Sequence, residues 1–454
     1  MNYNKPEKSG LQKMFQAMAW FFGILFFVLM ALFTRLDRRP YQEMEYYQRS
    51  MNRLDSLSFN TKNGDYWNAG WAIVNGTPKN PVNLAGYRPR GKYEFVQDSS
   101  FIRTIILGNG VSQIAFLNYE LMIVHPHLKE KIENRIRQEG LNIDHIYFTA
   151  THTHSGMGGY MPGLIGKFAF GGYDKALVEF WEEKSLEAVQ TALSSMDTVE
   201  LIFQKSKTDG LVANRLIPED PIDPYTRQLT FLKKNGKKAT LLSYSAHPTI
   251  LERKFMGLSG DYPNYLSRKL AEEDFELAIF AAGTVGSHKP LSDGHSIAAV
   301  QQYSEKLYRQ LMTNPVQTDS LKNNKLNAQY LPLDLRKAHF RIGKNIRIRP
   351  WLFNLLVGDT APHFDIIQID NTILISSSGE ISGTFMEPWE KYAKEKGLNL
   401  LITCFNGGYI GYITPDQYYD EKLYEVRDMN WFGPYNGNYF DEIITKTIDK
   451  IKEQ

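Results

Sequence analysis

Three features of the sequence predict an α/β fold, a mixed sheet with helices in one large domain, preceded by a single N-terminal membrane helix. Short apolar runs of strand length alternate with longer amphipathic segments of helical period. Two turn signals, Asn235-Gly236 and Asp370-Asn371, each lie between a pair of apolar runs, as β-hairpins require. An uncharged stretch over residues 14–33, "MFQAMAWFFGILFFVLMALF", is long enough as a helix to cross roughly 30 Å of hydrocarbon.

Taken in order, residues 1–13 form a short polar tail and residues 14–33 the anchor. A cleaved signal peptide is the competing reading of the anchor. It needs a shorter apolar core ending in small residues, and "ALFTRLDRR" offers no such site. Lys5, Lys8 and Lys13 precede the span while Arg35, Arg38 and Arg39 follow it, so charge alone leaves orientation nearly balanced. Residues 34–69 read as a membrane-proximal helical linker, with "YQEMEYYQRSMNRLDSL" as an amphipathic helix lifting the domain from the bilayer.

The main domain, 70–454, opens with strand-like "FIRTIIL", "QIAFLNY" and "IYFTA", interleaved with helix-like "HLKEKIENRIRQEG" and "KALVEFWEEKSLEAVQTAL". The hairpin at Asn235-Gly236 follows, its flanking lysines making the turn longer than two residues. Helices are expected over 262–273 and 297–312, with the strand "LAIFAA" between them. The second hairpin, "FDIIQIDNTILISSS", and a final helix, "DEIITKTIDKIKEQ", complete the pattern. No repeat or low-complexity linker divides the chain, so one large domain is the simplest organisation.

Composition narrows the function. A formal net charge of +2 with 22% charged residues supplies no field for nucleic acid, and no basic stripe with interleaved aromatics is present. The single Cys404 excludes an intrachain disulfide and a cysteine-based zinc cluster. No sequence feature speaks to the oligomeric state.

The chemistry concentrates where strands run out. In "IYFTATHTHSGMGG" two of the chain's 10 histidines, His152 and His154, follow an apolar run directly. His247 follows "TLLSYSA", Glu380 follows "TILISSSG", and Tyr412 follows "LLITCFNGGYIG". Strand ends of an α/β sheet gather ligand sites because they fix the backbone while loops aim side chains into a shared crevice. Imidazole nitrogens and a carboxylate are the donors a catalytic zinc takes, with one position left for water. An isolated H-x-H is more often made of satisfied core or turn residues than of metal ligands. Of its metal uses, the H-x-H-x-D-H of metallo-β-lactamase-like hydrolases fails, since Ser155, Gly156 and Met157 follow His154. The early H-x-H of amidohydrolase barrels fits poorly with the long preceding segment and the hairpins.

"FTATHTHSGMGGY" resembles the T-H-T-H-S-G-P-G-G segment of the neutral/alkaline ceramidases, zinc amidases that cleave the N-acyl bond of ceramide. Further segments resemble that family in the same order: "VANRLIPEDPIDP", "SYSAHPTIL", "LSGDYPNYLSRKL", "SSSGEISGTFMEPW" and "GGYIGYITPDQYYDEKLYE". The resemblance implies one Zn2+ per chain on His152, His247, Glu380 and Tyr412. It also implies His154 as a catalytic histidine, Arg215 as a partner for a polar or anionic group of substrate or product, and Tyr424 as a donor to the amide or its tetrahedral intermediate. A His/His/Glu/Tyr set would accept other first-row ions as well.

Two departures from the family pattern stand out. Its essential serine, in an S-P-N segment, is matched in "FAAGTVGSHKPLSDG" by Lys289, just before Pro290. This departure favours hydrolysis by activated water over a nucleophilic-serine mechanism, and Gly283, Gly286, Ser287 and His288 are expected to form a tight substrate or oxyanion loop there. The family's C-terminal β-sandwich has no counterpart before Gln454. "IRIRPWLFNLLVG", from Ile346, suits a loop resting on a membrane interface, with a buried strand or helix as the alternative.

The sequence therefore predicts a single-pass, membrane-anchored zinc hydrolase of ceramide or a related N-acyl lipid, its catalytic domain extracytoplasmic as is usual for the family. Alternatives are a hydrolase of the same fold acting on another amide or an ester, or a catalytically silent ceramidase-like binding protein.

Overall fold

The structure is a computed structural model that describes residues 9–60, 62–87 and 89–453. Lys5 and Lys8 of the expected tail lie outside the described residues. The apolar helix, α1, runs from Gly10 to Leu32 and is exposed along its length. It starts in a capping box: Gln12 N–H donates to Ser9 Oγ and Ser9 N–H to the Gln12 side chain. It ends where the chain turns extended into β1, Phe33–Arg35.

The helix expected to lift the domain off the membrane is instead part of that domain. This α2, Glu45–Ser56, buries Tyr46, Met51 and Leu54 in the largest core cluster, with Ser50 buried beside them. Its apolar stripe meets the C-terminal helix and the strand Lys325–Pro332, so a free stalk would expose that stripe to water.

Two sheets carry the architecture. The first has nine strands among the described residues. They are β2 (Asn68–Asn75), β3 (Phe101–Gly108), β4 (Gln113–Tyr119), β5 (His145–Ala150), β6 (Asp197–Lys207), β7 (Tyr225–Lys233), β8 (Lys238–Tyr244), β9 (Leu277–Ala282) and β10 (Pro315–Leu321). Their order is β9-β8-β7-β6-β2-β3-β4-β5, with β10 also paired to β6. The second sheet joins β11 (Lys325–Pro332), β13 (His363–Ile369), β14 (Thr372–Ser377) and β15 (Asn399–Cys404) with a short edge piece at Lys62–Asn63. Between β11 and β13 lie β12 (Ile346–Ile348) and α8 (Pro350–Val357).

The pleat explains how the sheets stack. Ile105 and Leu107 of β3 share one core cluster with Ile367 and Ile369 of β13 and Leu401 of β15, whereas Ile106, Ile366, Leu400 and Ile402 point into another. One face of each sheet thus meets the other sheet. The outer faces are covered by α3 (Pro126–Gln138) and α5 (Lys175–Ser194) on one side and by α9 (Met386–Glu395) and α10 (Asn436–Glu453) on the other. The helices α6 (Asp261–Glu273) and α7 (Ile297–Thr313) cover β8 and β9. Polar cross-links pin the stack, including Ser243 Oγ to Ile402 O at 2.6 Å and Tyr147 hydroxyl with Thr403 Oγ1 at 2.8 Å.

Both hairpins occupy the expected places. The β13–β14 turn is Asp370-Asn371, with Asp370 at φ +52°, while β7 and β8 are joined around Asn235-Gly236 by a longer turn closed by Lys233 N to Lys237 O at 2.8 Å. Within the two large sheets three described strand pairs are parallel: β4 with β5, β8 with β9, and β14 with β15. The C-terminal ends of β5, β8 and β14 lead directly to His152, His247 and Glu380.

Candidate metal centre

At those strand ends, three imidazoles meet. His152 Nε2 lies 3.0 Å from His247 Nε2, His154 Nε2 lies 2.9 Å from His247 Nε2, and the two histidines of the H-x-H are 3.4 Å apart. The Glu380 Oε2 atom sits 3.4 Å from His152 Nε2 and is a buried carboxylate oxygen with no hydrogen-bond partner among the described residues. Donors bound tetrahedrally at about 2.0–2.1 Å from a zinc ion stand roughly 3.3 Å from one another. The spacing here fits a single ion, and a buried carboxylate oxygen without a hydrogen bond, facing imidazole nitrogens, fits a cation.

His152 adopts φ +65°, a left-handed backbone that costs a non-glycine residue on the order of 1–3 kcal/mol. Its N–H donates to Leu121 O at 3.0 Å, its Nδ1–H to Met122 O at 2.6 Å, and its ring stacks on Phe405 at 4.1 Å. The Nδ1 bond fixes the tautomer, leaving the Nε2 lone pair toward the cluster. His247 is held similarly, with Nδ1 facing Val285 O at 3.4 Å. His154 differs, since its Nδ1 has no partner among the described residues. Burial holds the His154 and His247 imidazoles well below their ordinary value, with neighbouring His and Arg charges adding to the effect, so both are neutral at neutral pH.

Glu380 is anchored through its other oxygen, which accepts from the Tyr409 hydroxyl at 2.6 Å. Burial alone would raise this carboxyl; His152 and the hydroxyls of Tyr409 and Tyr412 hold it below the usual value. Tyr412 is buried beside it, its short strand paired in register so that Glu380 faces Tyr412. Burial and the Glu380 charge push the Tyr412 phenol well up, and its oxygen accepts from Arg215 at 3.1 Å. Arg215 also contacts His247 Nδ1 at 3.2 Å and Gly286 O at 3.3 Å, and it pairs with buried Glu425 at 3.0 Å.

Above the cluster lies a cavity of about 450 Å3. Ile165, Phe170, Phe340, Met429 and Trp431 give it apolar walls, and Tyr424 stands 57% exposed at its rim, its ring 6.3 Å from that of Tyr412. Partial desolvation and the nearby Glu380 push the Tyr424 hydroxyl up to about 12, so it is a donor at neutral pH.

His152, His154, Arg215, His247, Glu380, Tyr412 and Tyr424 therefore all line one cavity. Gly283, Gly286, Ser287 and His288 do not. The N–H groups at 283, 286 and 288 are committed to Tyr244 O, Ile381 O and Val285 O, which leaves these three unable to serve an oxyanion. Ser287 Oγ is buried against Ser382 Oγ, Gly383 N and His288 Nδ1, and His288 Nε2 accepts from Asp223 N at 2.8 Å. These residues brace the back of the site: a Cβ at Gly286 would come within 2.5 Å of Glu380 O. Lys289 is exposed, outside the cavity lining.

Two residues of the site escaped the sequence reading. Tyr409 stands three before Tyr412 in "GGYIGYIT", and Glu425 follows Tyr424 directly. Both lay within segments already singled out, but nothing in the order of residues shows which hydroxyl or carboxylate turns inward. For Tyr409→Phe, the loss of a hydrogen bond to Glu380 is expected to weaken metal binding about 10- to 100-fold, read by competition against a chelating dye.

Residues 69–279 match the family model "Neutral/alkaline non-lysosomal ceramidase, N-terminal". The fold is similar to the crystal structure of neutral ceramidase from Pseudomonas aeruginosa, with a TM-score of 0.70 at 15% identity over 86% of this chain and 75% of that one. A ceramidase structure described as complexed with C2 is matched with a TM-score of 0.69 at 14% identity over the same shares. At such identities these structures establish the architecture alone.

Proposed function

We propose that the chain, whose residues 69–279 match the neutral/alkaline non-lysosomal ceramidase model, is a member of that family and a membrane-anchored, zinc-dependent amidohydrolase. Its substrate in this reading is ceramide or a related N-acyl lipid, split to a free fatty acid and an amine. The observation that carries it is the unpaired Glu380 oxygen beside three converging imidazole nitrogens at the base of a largely apolar cavity.

His152, His247, Glu380 and Tyr412 would hold one Zn2+, which when bound polarises the amide carbonyl and lowers the pKa of water. His154 is kept apart as the proton carrier, because its ring lacks the second hydrogen bond that orients the other two. Neutral at its Nε2, it accepts the proton released as water adds to the acyl carbon and passes it to the nitrogen as the C–N bond breaks. Tyr424 donates to the carbonyl oxygen as negative charge develops there. Arg215, a permanent cation braced by Glu425, holds Tyr412 in place and presents positive charge to the polar end of the substrate. The apolar walls take the acyl chain and exclude water. The helix α1 anchors the domain, placed outside the cytoplasm in keeping with the family.

Two variants test the division of roles. Tyr424→Phe is expected to keep its metal and to lose about 10²-fold in kcat on a short-chain ceramide, the usual cost of one oxyanion donor. His154→Ala is expected to keep metal and lose turnover. Loss of metal from His154→Ala would transfer His154 to the ligand set in place of Tyr412.

A further inference from the structure

We propose that α8 and a short helix beside it, α4 (Gly163–Ala169), form an interfacial platform clamped to the anchor, which seats the catalytic cavity against the bilayer surface. The proposal rests on reading α1 as a membrane helix.

The clamp follows from helix chemistry. The last carbonyls of any helix lack intrahelical donors, and at a membrane boundary this deficit is costly. In α1 the start of α8 meets it: Arg349, the residue capping that helix, donates its N–H to Leu32 O at 2.7 Å and its Nε to Met30 O at 2.8 Å, and Trp351 Nε1 donates to Ala31 O at 3.1 Å. Just beyond, β1 pairs antiparallel with β12, Phe33 opposite Ile348. The anchor is thus joined rigidly to the domain, and Trp351 sits level with the end of the apolar helix, where tryptophan favours the membrane interface.

From that point an apolar surface continues. Trp351 and Leu355, one helical turn apart on α8, are 51% and 66% exposed. On α4, which packs against α8, Leu164 and Phe168 repeat the spacing at 50% and 61%. Four large side chains at this exposure, adjoining a membrane helix, are costly in water and favourable in the headgroup region. Exposed Arg35 and Lys167 add positive charge suited to anionic lipid. The same helix α4 lines the cavity with Ile165 and Ala169. One side of α4 thus faces the site and another the bilayer, so a lipid amide reaches the cavity along apolar surface without crossing water.

The test uses the full chain in vesicles of phosphatidylcholine and phosphatidylglycerol. Cys404 is fully buried, away from a surface-directed reagent, so Phe168→Cys, Leu355→Cys and Val111→Cys can each be labelled with an environment-sensitive NBD dye. Val111, exposed at the opposite end of the sheet, is the reference. A blue shift and quenching by doxyl lipid at 168 and 355, with neither at 111, is the expected result. Co-flotation with vesicles while 168 and 355 stay as wet as 111 would overturn the platform and leave the anchor standing. Failure to co-float would remove the anchor, and the platform with it, without bearing on the metal site. In a second arm, Phe168→Ser/Leu355→Ser should cut hydrolysis of vesicle-embedded ceramide at least about tenfold and leave a soluble short-chain ceramide unaffected. Equal loss on both substrates would assign these residues to folding instead.

Discussion

Glu380→Ala is expected to leave the chain without stoichiometric metal and to lower kcat/KM on a short-chain ceramide by about 10³-fold or more. Among the described residues Glu380 is the one carboxylate paired with these imidazoles, and its Oε2 has no hydrogen-bond partner. Removing it leaves neutral nitrogens that hold a divalent ion weakly, and it strips the Tyr409 hydroxyl of its acceptor. Glu380→Gln separates charge from shape: the amide fills the same space and still accepts from Tyr409, yet metal is expected to be lost. Stoichiometric zinc in Glu380→Gln, measured by elemental analysis, would show that the carboxylate is not a ligand. His152→Ala is expected to match Glu380→Ala.

The second large effect lies behind the site. Glu120 is completely buried and bonds to Arg103, 2% exposed, while accepting from Asn264 Nδ2 at 2.9 Å and Phe101 N at 3.1 Å. Removing one partner strands the other charge in the core, which costs about 3–5 kcal/mol. Glu120→Ala should therefore shift the urea midpoint of the full chain strongly downward. Arg103→Met/Glu120→Leu, which removes both charges and keeps the volume, should be much less damaging. A midpoint in Glu120→Ala close to that of the wild type would mean that Arg103 finds another partner. Function should suffer too, because the next two residues, Leu121 and Met122, supply the carbonyls that hold the strained His152.

Much of the site was legible because its geometry is local. A strand followed at once by a histidine or glutamate fixes where that side chain starts, so "THTHSG", "SAHP" and "SSGE" pointed to loops that the fold brings to one cavity. The hairpins and α1 were legible for the same reason, since turn chemistry and uninterrupted apolarity act over few residues. What could not be read depends on distant partners. The helix α2 looks like a stalk until α10 and β11 are seen to cover Tyr46 and Met51. "GSHK" looks like an oxyanion loop, yet Ser287 and His288 bond to Gly383 and Asp223 from far along the chain. In β13 both faces are buried, so no alternation shows which residues meet the other sheet.

The most direct test is elemental analysis of the purified full chain, paired with release of fatty acid from a short-chain ceramide before chelation, after it, and after zinc is restored. One zinc per chain, with release that stops on chelation and returns with zinc, is the expected result. A folded chain that binds no metal, or one whose release persists unchanged through complete metal removal, would contradict the metal centre built on His152, His247, Glu380 and Tyr412.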